Sequence, residues 1–136
     1  MKFADTSWWV ALVLPDDARH RDATAMLEHI GLSEQVLTTN LVLGESWTFL
    51  RCKDSHRTAV CFLDRIEALQ SANKLTVHSV TDKQESRAWH WLRRHDERVY
   101  SFVDAASFEV MRSRRLREVL AFDNDFTAAG FIELHP

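Results

Sequence analysis

The 136 residues suit one domain with a proper core, and 46% apolar with 27% charged content is ordinary for a globular chain. Only 3 glycines and 2 prolines exclude a turn-rich sandwich and a disordered chain, and favour long helices. A net charge of −3 neither requires nor excludes a nucleic-acid partner, so the placement of charge decides more than its sum.

In chain order, KFADT within Met1–Thr6 reads as a short strand. Ser7–Leu14 continues as a short apolar helix that Pro15 ends. The run SWWVALVL follows Lys2, which raises a secretory leader. Asp5 interrupts it, Pro15-Asp16-Asp17 closes it, and no A-x-A site follows. The run is also far shorter than the roughly 20 residues of a membrane span. A cytoplasmic protein with no membrane association is expected. Trp8 and Trp9 are adjacent, so on a helix they point about 100° apart and one is expected to be exposed. Asp16–Ile30 has helical spacing, with Gly31 as its stop.

QVLT, Gln35–Thr38, reads as a strand. Thr39 or Asn40 then caps the helix LVLGESWTFLRC. Ser55–Ser71 is a further helix, with Ala59, Phe62, Leu63, Ile66 and Leu69 on one face. Cys52 and Cys61 lie on these helices with no C-x-x-C and no histidine at zinc spacing. They are expected to be buried thiols in a reducing compartment. LTVHSV, Leu75–Val80, alternates as a strand, and Thr81 or Asp82 caps a helix running to about His95. Ser101–Arg117 is predicted as a helix, VLAF at Val119–Phe122 as a strand, and GFIEL at Gly130–Leu134 as a last short strand. Short strands alternating with helices predict an α/β fold, a mostly parallel sheet covered on both faces, over residues 1–136 as one domain.

In such sheets ligands bind outside the carboxyl ends of the strands. Asp5 ends the first strand and Asp123 the strand VLAF. Glu45 lies early in the helix after QVLT, and Asp104 in the first turn of the helix after Ser101. Asp125 is close behind. Each has a structural use of its own: S-x-x-D at Ser101–Asp104 is a variant of the capping box, and AFDNDF suits a turn. Together on one rim they would repel one another unless a cation joined them. Oxygen donors without Cys or His point to a hard ion, Mg²⁺ or Mn²⁺.

Four segments, ADTS (Ala4–Ser7), NLVLGESW (Asn40–Trp47), SFVDAASFEVM (Ser101–Met111) and AFDNDFTAAGFIEL (Ala121–Leu134), resemble the PIN domain, specifically the VapC-type toxins of bacterial toxin–antitoxin pairs. The resemblance spans the chain. It implies a three-layer α/β/α fold and Mg²⁺-dependent endoribonuclease activity on RNA. It also implies homodimerisation and neutralisation by a VapB-type antitoxin. The family's acidic positions fall on Asp5, Glu45, Asp104 and Asp123, as metal ligands and catalytic groups. Asp125 stands behind them, and Thr6 or Ser7 supplies a hydroxyl to the site. Asp123 or Glu45 would take the proton from water, and one ion or two fit equally well.

Arg112 and Arg115, at i,i+3 on the helix that Asp104 begins, are the candidate RNA-phosphate contacts. The five tryptophans are assigned chiefly to the core or to interfaces. Phosphoryl-acceptor folds are disfavoured because no lysine stands near Asp123-Asn124 and Asp5-Thr6-Ser7 lacks the second aspartate of D-x-D. A PIN-like module that binds RNA or protein without cutting is the alternative. A nuclease for DNA or for particular nucleic-acid structures is a further one, since metal–carboxylate chemistry does not itself read the 2′-hydroxyl.

Overall fold

A computed structural model describes residues 1–30 and 34–136. The elements run β1 Lys2–Ala4, α1 Thr6–Val13, α2 His20–Ile30, β2 Val36–Thr39, α3 Asn40–Lys53, α4 His56–Ser71, β3 Leu75–His78, α5 Asp82–Arg94, α6 Phe102–Ser113, β4 Glu118–Leu120, α7 Asp125–Ala128 and β5 Ile132–Glu133. The predicted stop at Gly31 lies outside the described residues. The four-residue helix α7 is new to the structure; AFDNDF had suggested only a turn.

The five strands form one parallel sheet in the order β3-β2-β1-β4-β5. Phe3 is in register with Leu37 on one side and with Val119 on the other, so β1 is central. From β1 the chain builds outward to β2 and β3, then crosses back to lay down β4 and β5. The crevice between β1 and β4 is therefore the topological switch point, the place where open parallel sheets hold their ligands.

Capping fixes where four of the helices start. Thr39, Ser55, Thr81 and Ser101 each accept a backbone N–H of the following turn through their side-chain oxygens. Thr81 with Gln84 and Ser101 with Asp104 complete capping boxes.

The expectation for the tryptophan pair is overturned. Trp8 and Trp9 are both fully buried, meeting edge to face at 4.8 Å, and Trp9 packs on Phe62. Every residue from Trp8 to Leu12 is buried, so α1 is a core helix with no solvent face and the 100° argument does not apply. Burying each indole is worth about 4–6 kcal/mol at most, given ~150–250 Å² of surface. Both cysteines are exposed rather than buried, because they occupy the outer faces of α3 and α4. Leu63 is also turned outward; Ala59, Phe62 and Ile66 carry the inner face of α4, with Leu69 half-buried. A second aromatic group, Phe108, Phe126 and Phe131, fills the core beside β4 and β5 and reaches Phe3 through Phe126.

Among the described residues no helix is long and apolar enough to cross a membrane.

Candidate active site

Asp5 follows β1 directly and is 2% exposed. Its Oδ2 accepts the Ser7 hydroxyl at 2.9 Å and, more weakly, the Ser7 N–H at 3.3 Å, so Asp5 is the N-cap of α1. Ser7 Oγ in turn accepts the N–H of Phe122 at 3.0 Å. One serine thus ties the end of β1 to the segment after β4, and with it Asp5 to the neighbourhood of Asp123. The hydroxyl of Thr6 is buried and has no partner within the described residues.

Asp104 is 6% exposed at the start of α6. Its Oδ2 accepts the Ser101 N–H at 3.0 Å, while its own N–H donates to Ser101 Oγ at 2.9 Å. The cap therefore fixes the carboxylate's orientation. Asp123 and Asp125 flank Asn124, which adopts a left-handed φ of 67°. Asp125 N–H donates to Asp123 Oδ1 at 3.2 Å. Asparagine tolerates this conformation better than most residues, so the turn can present two acids on either side of it.

Oxygens of Asp104, Asp123 and Asp125 all lie within 4.8 Å of one another. Two opposed ligands on a hard octahedral ion are about 4.2 Å apart, twice a bond of ~2.1 Å, so two acids of this group are near enough to share one ion and not all three need bind it. The donors are all carboxylate oxygens, which suits a hard divalent cation and not zinc.

The electrostatics say the same. Burial pushes the Asp5 carboxyl well above its ordinary range, and the charges of Asp123 and Asp104 add to it, against the opposing bonds from Ser7. Burial lifts Asp104 to about 6, with Asp125 and Asp123 contributing and the Ser101 bonds opposing. Asp123 is raised first by burial, then by Asp125 and Glu133, while the Asp125 amide and the Asp5 carboxyl hold it down. Three acids destabilised as anions next to one another are a site prepared for positive charge.

The structure brings Asp5, Asp104, Asp123 and Asp125 together. Glu45 is half-buried on α3, following β2 at the same rim, and among the described residues no hydrogen bond or ion pair joins it to the aspartates. Arg112 and Arg115 do not share a helical face: α6 ends at Ser113, and Arg115 lies beyond it at φ 56°. Arg112 pairs with Glu109 and lies over the rings of Trp91, Phe108 and Phe131. Eight residues of helix separate it from Asp104, about 12 Å along the axis.

Two residues escaped the sequence reading. Glu133, buried on β5, accepts Asn124 N–H at 3.1 Å, Thr127 N–H at 2.8 Å and Thr127 Oγ at 2.9 Å. It anchors the turn that carries Asp123. Its signal was inverted alternation in GFIEL, where Ile132 faces out and Glu133 faces in. Arg98 donates from Nε to Asp125 Oδ1 at 2.6 Å and from Nη2 to the Asp123 carbonyl at 3.1 Å. Beside the acids runs a groove of about 330 Å³, lined by Thr6, Ser7, Val10, Arg19, Phe122 and Asp123.

Residues 2–132 match the family model described as PIN domain. The chain belongs to the PIN-domain family. Its VapC-type toxin character follows from a relative of matching length: it is 47% identical, over 100% of this chain and 99% of the other, to the 23S rRNA-specific endonuclease VapC20 of Mycobacterium tuberculosis. The crystal structure of that organism's VapC20, a sarcin–ricin loop cleaving toxin, superposes with a TM-score of 0.91 at 45% identity, with both chains covered in full. The fold alone is shared with VapBC2 from Rickettsia felis bound to a promoter DNA fragment, at TM-score 0.70 and 12% identity over 98% of this chain and 96% of that one. A toxin–antitoxin complex from Klebsiella pneumoniae shares it likewise, at TM-score 0.63 and 12% identity over 94% and 91%. The protein is a PIN-domain nuclease of the VapC toxin type.

Proposed function

We propose that this PIN domain, residues 1–136, is the endoribonuclease toxin of a VapBC-type pair and cuts 23S rRNA at the sarcin–ricin loop with Mg²⁺ as its ion. The observation that carries the reading is the convergence of buried Asp5 and Asp104 with half-buried Asp123 at the sheet's switch point, where each is raised in pKa by desolvation and by its neighbours. The near-identical length and fold of VapC20, named for that target, supports the choice of RNA.

Asp5, Asp104 and Asp123 hold the ion, and Glu45 completes the set from α3. When bound, the ion polarises a phosphoryl oxygen and acidifies a water, with Mn²⁺ able to substitute. Asp123 or Glu45 would accept the proton of the attacking water. Ser7 orients Asp5, Ser101 orients Asp104, and Glu133 holds the turn of Asp123. The adjoining groove takes nucleotides flanking the cut, with Phe122 and Arg19 as its aromatic and cationic walls. A VapB-type antitoxin restrains the enzyme, which works as a homodimer in the cytoplasm.

The test is incubation of ribosomes or total RNA with purified protein in Mg²⁺, in Mn²⁺ and in EDTA, with Asp5→Ala and Asp104→Asn alongside. A single metal-dependent cut in the sarcin–ricin loop, absent from both variants, is expected. Folded, metal-loaded protein that binds RNA and leaves it intact would make the chain a binding module instead.

A further inference from the structure

Among the described residues Arg98 is the only cationic side chain bonded to the acid group, and the mechanism above gives it no task. It stands in the connection between α5 and α6, three positions before the Ser101 cap. Its Nε and Nη2 are committed to Asp125 and to the Asp123 carbonyl, both in one turn. A guanidinium carries five N–H donors, so about three remain. Its side chain is 39% exposed while that of Asp125 is 17% exposed. The inner edge of Arg98 is therefore bonded and its outer edge is in water, beside Asp125 and Asp123.

The turn aims the arginine, and not the reverse. Asp125 N–H is already held by Asp123, and Asn124 N–H by buried Glu133. Two acceptors on so fixed a turn set the plane of the guanidinium, as one carboxylate alone would not. A pocket of carboxylates repels an RNA backbone, and an oriented guanidinium at its edge offers the phosphate the opposite charge in matching fork geometry. Arg112, in the last turn of α6 and paired with Glu109, and Arg115, past the end of that helix, both stand far from the acids at its start.

We propose that Arg98 is the residue by which this site grips a substrate phosphate next to the bond that is cut, and that Asp125 and the Asp123 carbonyl aim it. Asp125 is then an aiming carboxylate and not a ligand to the ion. The assignment rests on the nuclease reading and deepens it.

The test compares the wild type with Arg98→Ala, Arg98→Lys and Asp125→Asn on a fluorescein-labelled sarcin–ricin stem–loop RNA. Binding is followed by anisotropy in EDTA from about 50 to 250 mM KCl, cleavage by KM and kcat in Mg²⁺, and ion affinity by Mn²⁺ electron paramagnetic resonance. Arg98→Ala is expected to raise Kd and KM about tenfold and to flatten the log–log salt slope by about 0.7, the loss of one single-strand phosphate contact. Arg98→Lys recovers part of the binding, since it keeps the charge and loses the fork. Asp125→Asn weakens RNA binding and leaves Mn²⁺ affinity within about threefold, the change expected when no ligand is lost.

An unchanged Kd and salt slope in Arg98→Ala overturns the proposal. So does a loss of Mn²⁺ affinity beyond about tenfold in Asp125→Asn, which would make Asp125 a ligand. If the wild type binds the RNA but cuts it with neither ion, the nuclease reading fails while Kd and salt slope still decide Arg98. If it neither binds nor cuts, both fail.

Discussion

Replacing Asp104 by asparagine should stabilise the metal-free protein at neutral pH. The asparagine oxygen can still accept the Ser101 N–H, so the cap survives while the charge is removed. Burial lifts the Asp104 carboxyl from its ordinary 3.8 to about 6. Its folded pKa lies above its unfolded one, so the folded state binds more protons between those values. The stability is present below pH 3.8 and is lost as pH rises through about 6. At 1.36 kcal/mol per pH unit the full difference is about 3 kcal/mol, and solvent at the open rim leaves roughly half. A chain of this size melts about 3–5 °C higher per kcal/mol, so Asp104→Asn should gain about 5–7 °C at pH 7.5 in EDTA. At pH 4.5 the gain should shrink to about a third, because wild-type Asp104 is then protonated in the fold. The assay is thermal unfolding by circular dichroism across this pH range. A hundredfold excess of Mg²⁺ over its Kd adds about 2.7 kcal/mol to the wild type alone and should reverse the order. A variant less stable than wild type at pH 7.5 in EDTA, or a gap equal at both pH values, would refute the reasoning.

Glu133→Ala should cost about 2–3 kcal/mol in a urea melt, because two backbone N–H groups and a hydroxyl lose a shared, charged acceptor. The same variant should cut RNA more slowly, since the turn that presents Asp123 loses its anchor; full stability would show that Glu133 holds nothing. Cys52 and Cys61 should both react with a thiol reagent in the native protein, as their exposure requires, and titration of fewer than two thiols before unfolding would contradict it.

Asp5 was legible because it directly follows the end of β1; Asp123 was read as ending VLAF, but β4 stops at Leu120 and Asp123 reaches the same rim three residues later, on the turn before α7. Asp104 was legible through its capping box, which the structure reproduces. The end of α6 was not legible: Ser113-Arg114-Arg115 holds no glycine, asparagine or proline to announce the left-handed turn at Arg115. The burial of Trp8 and Trp9 was hidden for another reason. Amphipathic spacing identifies the inner face only of a helix that has an outer one, and α1 has none. Arg98 was invisible because its meaning is relational. Its partner Asp125 is 27 residues away in sequence, and nothing in ERVYS marks that arginine from its neighbours.

The three central aspartates share a property that explains why they could be read as caps and as ligands with equal right. Asp5 starts α1, Asp104 starts α6, and Asp123 receives the first N–H of α7. In each, one function of the carboxylate is served by the oxygen as acceptor and another by the charge. The acceptor stabilises the fold and aims the side chain. The charge destabilises the fold until a cation arrives, which is what the raised pKa values of all three record. Asparagine separates the two functions and alanine abolishes both. A test by alanine alone would confuse a lost helix start with a lost ligand, and only the asparagine series isolates the charge on which the proposed chemistry depends.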